Sequence, residues 1–143
     1  MGSTTFSGPV QAGTVKDGAS ANLGKVVLSQ TDTFTFADTG TFATEIILPA
    51  NSQIVEMYVD AATAWDSVTS DALEIGDGTD ADEYGDVADI QATGRLTVTI
   101  DAAQAAVIDD IGTSDVTINL TITSVGGSLT AGAAQLTVNY VQN

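Results

Sequence analysis

The chain has 143 residues and no cysteine, which excludes disulfides, thiolate nucleophiles and cysteine metal sites. Its 19 acidic residues outnumber its three lysines and arginines and give a formal net charge of −16, so it lacks the basic patch that binds nucleic acid phosphates or an anionic membrane. With 43% hydrophobic residues it is far from a disordered acidic tail, and its length predicts one folded domain. We therefore expect no nucleic acid and no membrane as a partner.

Residues 1–24 predict a flexible or extended N-terminal arm, because the stretch is rich in Gly, Ser, Thr and Ala and has little periodicity. Such an arm is either a frayed chain end or a segment that becomes ordered against a partner. In the second interpretation Phe6 and Val10 fill apolar pockets on the partner. Lys16 and Lys25 then reduce the repulsion between the acidic body and an acidic partner surface. These four side chains are the predicted partner-binding residues.

Residues 25–143 predict an all-β domain, because apolar and polar residues alternate in several short segments. Turn residues separate these segments roughly every ten positions, as in two-sheet folds. About seven or eight strands result, and we expect an antiparallel β-sandwich that resembles a jelly roll. The alternating segments are Phe34–Phe36, Thr41–Leu48, Gln53–Asp60, Arg95–Ile100, Val116–Thr123 and Ala134–Tyr140.

One short helix is predicted between Asp101 and Ile111, in an Ala-rich stretch. Asp101 is a suitable N-cap, and Gly112 is suited to end the helix. The Gly- and Asp-rich segments between strands predict loops at Gly76–Asp80, Tyr84–Gly94 and Ser124–Gly132.

Three stretches of the sequence carry a family likeness. They are Thr4-Thr5-Phe6-Ser7-Gly8-Pro9-Val10, the segment from Leu48-Pro49-Ala50 through Ile54-Val55, Val59-Asp60 and Thr63-Ala64-Trp65-Asp66 to Leu73–Asp82, and the C-terminal Gly132–Val141. Together they resemble small virion structural proteins of tailed bacteriophages, which are encoded among the capsid genes. The resemblance extends over nearly the whole chain but includes no motif that encodes a chemical reaction.

This resemblance implies a non-enzymatic capsid decoration or cement protein, or a short head fibre. Such a protein would bind the outer capsid surface, on the lattice of the major capsid protein, as a homo-oligomer, most simply a trimer. The alternative is a carbohydrate-binding or attachment module on a tail or fibre. A sugar-binding module presents an aromatic cleft, whereas aromatic residues are only 6% here and mostly alternate in strands, where we expect them to be buried.

The acidic segment Gly76–Asp86 is the one stretch with the chemistry of a ligand site. Its carboxylates at Asp77, Asp80, Asp82 and Asp86 could surround Ca²⁺, which takes six to eight oxygen ligands. The spacing does not follow the EF-hand pattern. The alternative is a solvated turn in which Gly and Asp residues supply positive φ angles and local hydrogen bonds. Apart from this possible Ca²⁺ we expect no cofactor.

Catalysis is not expected, because the chain has no histidine and no cysteine. Its serines therefore lack an imidazole partner, and general acid-base chemistry is left to carboxylates and lysines. Pairs of carboxylates, such as a glycosidase uses, occur in any Asp-rich chain. Trp65 is either a core residue or an exposed platform that stacks on a sugar or anchors an interface.

Overall fold

The computed structural model describes residues 11–15 and 21–142, with side chains from Lys25 onward. The described residues contain ten β-strands and one α-helix. They are β1 (Gln11–Val15), β2 (Ala21–Lys25), β3 (Leu28–Thr35), β4 (Gly40–Leu48), β5 (Ser52–Thr63), β6 (Ser70–Gly76), β7 (Gly85–Val87), β8 (Gly94–Thr97), α1 (Ala102–Ile108), β9 (Val116–Val125) and β10 (Ala133–Gln142). No helix in the described part of the chain is long and apolar enough to cross a membrane.

Eight of the strands form two four-stranded antiparallel sheets, which confirms the predicted all-β sandwich. The first sheet has the order β3-β10-β5-β8 and the second has the order β4-β9-β6-β7. The strands form one long antiparallel ribbon that folds back at the β6–β7 loop. Along this ribbon β3 pairs with β10, β4 with β9, β5 with β8 and β6 with β7. Successive pairs of this ribbon lie in alternate sheets, so rolling the ribbon brings β10 against β5 and β9 against β6.

The core lies between the two sheets because apolar residues alternate along the strands. Leu136 and Val138 from β10 and Ile118 and Leu120 from β9 are fully buried, as the alternation predicts. Trp65 is also buried and packs against Phe34, with ring centroids 5.4 Å apart. It is therefore a core residue, and the exposed-platform interpretation is wrong.

The predicted arm contains a small hairpin. Strands β1 and β2 pair with each other in a separate two-stranded antiparallel sheet, from Gln11↔Lys25 to Val15↔Ala21. Period-two alternation did not reveal these strands, since Gly and small residues dominate them. The division between an arm of residues 1–24 and a domain of residues 25–143 stays a prediction.

The helix begins where the sequence predicts and ends earlier. The Asp101 side chain accepts hydrogen bonds from the Ala103 and Gln104 amides, and the Gln104 side chain accepts from the Asp101 amide, which completes a capping box. The helix ends at Ile108, so the prediction that it reaches Ile111 is wrong by three residues. Residues 109–111 are not helical, and the Ile111 amide donates a hydrogen bond to the Ser52 carbonyl.

The loop predicted for Tyr84–Gly94 contains a strand that the sequence did not indicate. This strand, β7, has only three residues and pairs with β6. The pattern missed β7 because three residues are too few to show alternation. Asp86 of β7 also forms an isolated antiparallel bridge with Thr99, with backbone hydrogen bonds in both directions. That bridge joins the edge of the second sheet to the segment that follows β8.

Candidate functional site

The loops of the sandwich lie at its two opposite ends and differ in charge. One set, which we call the acidic end, comprises residues 49–51, 77–84 and 98–115. The other set, the groove end, comprises residues 36–39, 64–69, 88–93 and 126–132. The acidic-end loops carry eight acidic residues: Asp77, Asp80, Asp82, Glu83, Asp101, Asp109, Asp110 and Asp115. The groove-end loops carry three: Asp38, Asp66 and Asp89.

At the acidic end the predicted cation-binding carboxylates fall on two elements. Asp77, Asp80 and Asp82 lie in the β6–β7 loop, whereas Asp86 lies on β7 and bridges to Thr99 through its backbone. The Asp77 carboxylate accepts hydrogen bonds from the Thr79 and Asp80 amides, at 2.7 and 2.9 Å. That is the bonding expected of a solvated Asx turn.

No group of three or more acidic side chains within the described residues is arranged to hold a metal ion. The acidic side chains nevertheless influence one another. The main cause that raises the pKa of Asp82 is its side-chain hydrogen bond with Asp80, which favours the protonated form of Asp82. Burial, followed by the charges of Asp80, Asp77 and Asp82, raises the pKa of Glu83. The calcium hypothesis stays a prediction that rests on the sequence.

The predicted partner-binding residues lie mostly outside the described part of the chain. This applies to Phe6, Val10 and Lys16. Lys25 is described, is exposed and ends β2, three residues before β3 begins. The role of all four residues in binding a partner stays a prediction.

The groove end contains an open groove of about 490 Å³, which the sequence did not predict. It lies between the β3–β4 turn and the β9–β10 loop, and its lining residues are all uncharged. They are Phe36, Ala37, Thr39, Ile122, Ser124, Gly127, Ser128 and Leu129.

One exposed valine extends the apolar surface beside this groove. The Val68 side chain is 86% exposed. A Cβ atom on Gly127 would lie 3.8 Å from Val68 Cγ2, which places Val68 beside the β9–β10 loop that lines the groove. We call Phe36, Val68 and Leu129 the apolar patch. Sequence reasoning missed it because its members come from separate loops and are adjacent only in the fold.

One carboxylate joins two loops of the groove end. The Asp66 side chain, in the β5–β6 loop, accepts hydrogen bonds from the Thr130 hydroxyl, the Thr130 amide at 2.9 Å and the Ala131 amide at 3.1 Å. These bonds favour the ionised form, so they lower the pKa of Asp66, the Thr130 hydroxyl being the largest cause. Asp66 therefore attaches the β9–β10 loop to the body of the protein.

A second carboxylate, at Asp71, organises the neighbouring loops from inside the protein. Asp71 is fully buried, and its Oδ2 atom accepts hydrogen bonds from the Ser67 amide at 3.0 Å and from Gln91 Nε2 at 3.1 Å. Gln91 also donates to the Ser67 carbonyl at 2.6 Å. The β5–β6 and β7–β8 loops are thus held together by one buried polar network.

Close packing completes the support for the groove. Gly132 has a φ of +149°, and a Cβ atom there would lie only 2.6 Å from the Trp65 ring, so only glycine fits. The Gly132 carbonyl accepts a hydrogen bond from the Phe36 amide at 2.9 Å. All four groove-end connections are therefore linked by hydrogen bonds or tight contacts, and the groove is a preformed surface.

Comparison with known proteins gives likenesses in fold. No family model and no curated protein sequence matches the chain. Two solved chains match its fold. One belongs to the acidic stable capsid structure of Helicobacter pylori bacteriophage KHP30, with a TM-score of 0.58, 14% identity and coverage of 82% of this chain and 88% of that chain. The other belongs to the capsid asymmetric unit of cyanophage Pam1, with a TM-score of 0.52, 14% identity and coverage of 82% and 85%.

Proposed function

We propose that this chain is a structural protein of a bacteriophage virion and that it decorates the capsid. The observation that carries the proposal is the match of nearly the whole sandwich to nearly whole chains in two phage capsid structures. The sequence resemblance to small virion structural proteins of tailed phages supports it independently. No histidine or cysteine is present to build a nucleophilic or general-base site, which fits a non-enzymatic role.

The chain belongs on the outer surface of the capsid, where it binds the lattice of the major capsid protein. The net charge of the chain supports the outer surface over the interior. The interior of a phage head holds DNA, whose phosphates repel a chain of net charge −16, whereas the exterior faces water and mobile cations.

The sandwich is a jelly roll. The strand orders β3-β10-β5-β8 and β4-β9-β6-β7 support this assignment, because rolling one eight-stranded antiparallel ribbon produces them. In a roll of this kind the connections gather at the two ends of the sheets. One end can therefore bind a neighbour while the other carries charge toward solvent.

The N-terminal arm contributes to attachment, through Phe6, Val10, Lys16 and Lys25. The separate pairing of β1 with β2 supports a unit that the sandwich sheets do not include. Deletion of residues 2–20 should leave the melting temperature nearly unchanged and weaken rebinding to particles purified without this protein. A truncated protein that unfolds would make the arm part of the sandwich. Unchanged affinity would place attachment on the sandwich itself.

The rival function, a sugar-binding module on a tail or fibre, gains no support from the aromatic residues. Trp65, Phe34 and Tyr84 are buried. The Arg95 guanidinium covers the Tyr58 ring, 3.7 Å from its centroid.

Stabilisation of the phage head provides a direct test of the proposed decoration role. Particles without the protein should release DNA at lower temperature, and adding purified protein should restore the original threshold. Unchanged release temperatures would argue against a cement role.

A further inference from the structure

We propose that the groove and the apolar patch at the groove end form the contact between copies of this chain. The inference goes beyond the proposed function, because it assigns a surface to the homo-oligomer that the family resemblance implies. It commits to one occupant, a second copy of the same chain.

Charge supports a second copy as the occupant. Two copies carry the same net charge of −16 and cannot offer each other complementary charges, so they can approach only where each surface carries little charge. The groove meets this condition, because every residue that lines it is uncharged. Two carboxylates in the groove-end loops accept local hydrogen bonds, Asp38 from Thr35 and Asp66 from Thr130.

Distance reduces the remaining repulsion. The β3 strand has eight residues and so separates the two ends by roughly 25 Å. The Debye length at physiological ionic strength is about 8 Å. Copies that meet at their groove ends therefore keep their acidic ends apart and screened from each other. A basic partner, by contrast, would be attracted to the acidic end and would have no use for an uncharged groove.

Two of the four edge strands, β4 and β7, are not free for contact through strand addition. On one side of the sandwich, side chains from β3 bind the outward backbone groups of β4. Gln30 binds both the amide and the carbonyl of Ile47, and Asp32 accepts from the Glu45 amide at 2.8 Å. On the other side, the bridge between Asp86 and Thr99 occupies the outer edge of β7. Occupied edges resist pairing with another sheet.

The groove end is also preorganised for binding. The hydrogen bonds of Asp66 and Asp71 hold its loops before any partner arrives. Less conformational freedom is then lost on association. Val55, an exposed valine on a sheet face, occupies a β-bulge toward the opposite end, where the register between β5 and β10 shifts.

Sedimentation of the full-length protein in solution, without virions, tests the inference. Wild-type protein should self-associate reversibly, and raising NaCl from low to physiological concentration should not weaken the association. Val68→Asp should raise the dissociation constant at least tenfold. The matched control Val55→Asp, at a valine of 55% exposure, should change it less than twofold. A monomeric wild-type protein, an unaffected Val68→Asp variant or an equal effect of both substitutions would overturn the inference.

A second measurement leaves the apolar patch intact and so avoids any folding defect of Val68→Asp. The chain has no cysteine, so single cysteines can be placed in the groove with Ser128→Cys and at the acidic end of β3 with Ser29→Cys. A short bismaleimide should cross-link the first variant and leave the second monomeric. The reverse pattern would overturn the inference. A protein that is monomeric yet still decorates capsids would overturn it while leaving the proposed function intact.

Discussion

The Gln30 side chain on β3 forms two hydrogen bonds with the backbone of Ile47 on β4, in the way that a neighbouring strand would. Its Oε1 atom accepts from the Ile47 amide at 3.0 Å, and its Nε2 atom donates to the Ile47 carbonyl at 2.7 Å. The same Nε2 atom donates to the hydroxyl of buried Tyr140 at 2.9 Å. One side chain thus joins the edge strands of both sheets and occupies the position in which a further strand would pair with β4.

Gln30→Ala should lower the free energy of unfolding by about 2–3 kcal/mol, because each of its three hydrogen bonds contributes about 1 kcal/mol net. It should also speed aggregation, because the β4 edge becomes free to pair with another chain. Urea denaturation and light scattering measure the two effects. Gln53→Ala is a suitable control, since that amide makes an exposed bond to Asp109. Equal losses in both variants would contradict the role of Gln30 at the edge.

Asp71→Ala should cost about 2–4 kcal/mol, because it leaves the buried Ser67 amide and the Gln91 amide without their acceptor. Asp71→Asn keeps an acceptor oxygen and should cost less. Asp89→Ala removes an exposed carboxylate from the same loop region and should cost less than about 1 kcal/mol. Hydrogen exchange should rise in residues 64–69 and 88–93 only in the Asp71 variants. Equal costs for Asp71→Ala and Asp89→Ala would count against the buried network.

Stability should respond to pH in opposite directions through Glu83 and Asp66. The pKa of Glu83 is raised, mainly by burial, so the folded state binds its proton more tightly than the unfolded state. This group therefore destabilises at pH 7, and the penalty disappears as the pH falls through the raised pKa toward the unfolded value of about 4.3. The pKa of Asp66 is lowered, so its stabilisation is present above about pH 4 and is lost as the pH falls through the folded pKa.

It follows that Glu83→Gln should raise the melting temperature at pH 7 and that Asp66→Asn should lower it. The Glu83→Gln difference should largely disappear by pH 3.5, where the Glu83 carboxyl is protonated. The Asp66→Asn difference should begin to shrink only below about pH 4, because the pKa of folded Asp66 is lowered. Thermal scans at pH 7, 5 and 3.5 provide the comparison. A Glu83→Gln variant that is less stable than wild type at pH 7 would refute the assigned direction.

Salt should stabilise the protein, since eight acidic residues repel one another at the acidic end. Ca²⁺ and Mg²⁺ at matched ionic strength distinguish screening from a specific site. If Asp77, Asp80, Asp82 and Asp86 bind Ca²⁺, the melting temperature should rise further with Ca²⁺ than with Mg²⁺. Equal rises would reject the calcium hypothesis and leave the solvated turn.

The sequence predicted those parts of the fold that depend on local pattern. Alternation identified β9 and β10, and Asp101 was recognised as a helix cap from its residue type and position. It did not reveal β7, which is too short for a pattern. Nor did it reveal the hairpin of β1 and β2, whose small residues do not alternate.

The site was less predictable because it depends on residues that only folding brings together. Phe36, Val68 and Leu129 come from three different loops, and no spacing along the chain connects them. The role of Asp71 was equally hidden, because nothing in its local sequence separates a buried carboxylate from a solvated one. The unequal charge of the two ends became visible only once the strand order assigned each loop to an end.

Imaging of purified virions, with this protein present and with its gene deleted, tests the central claim most directly. The account predicts density for a two-sheet domain on the outer capsid surface that disappears in the deletion particles and returns when purified protein is added. Density on the tail, or no difference between the particles, would contradict it.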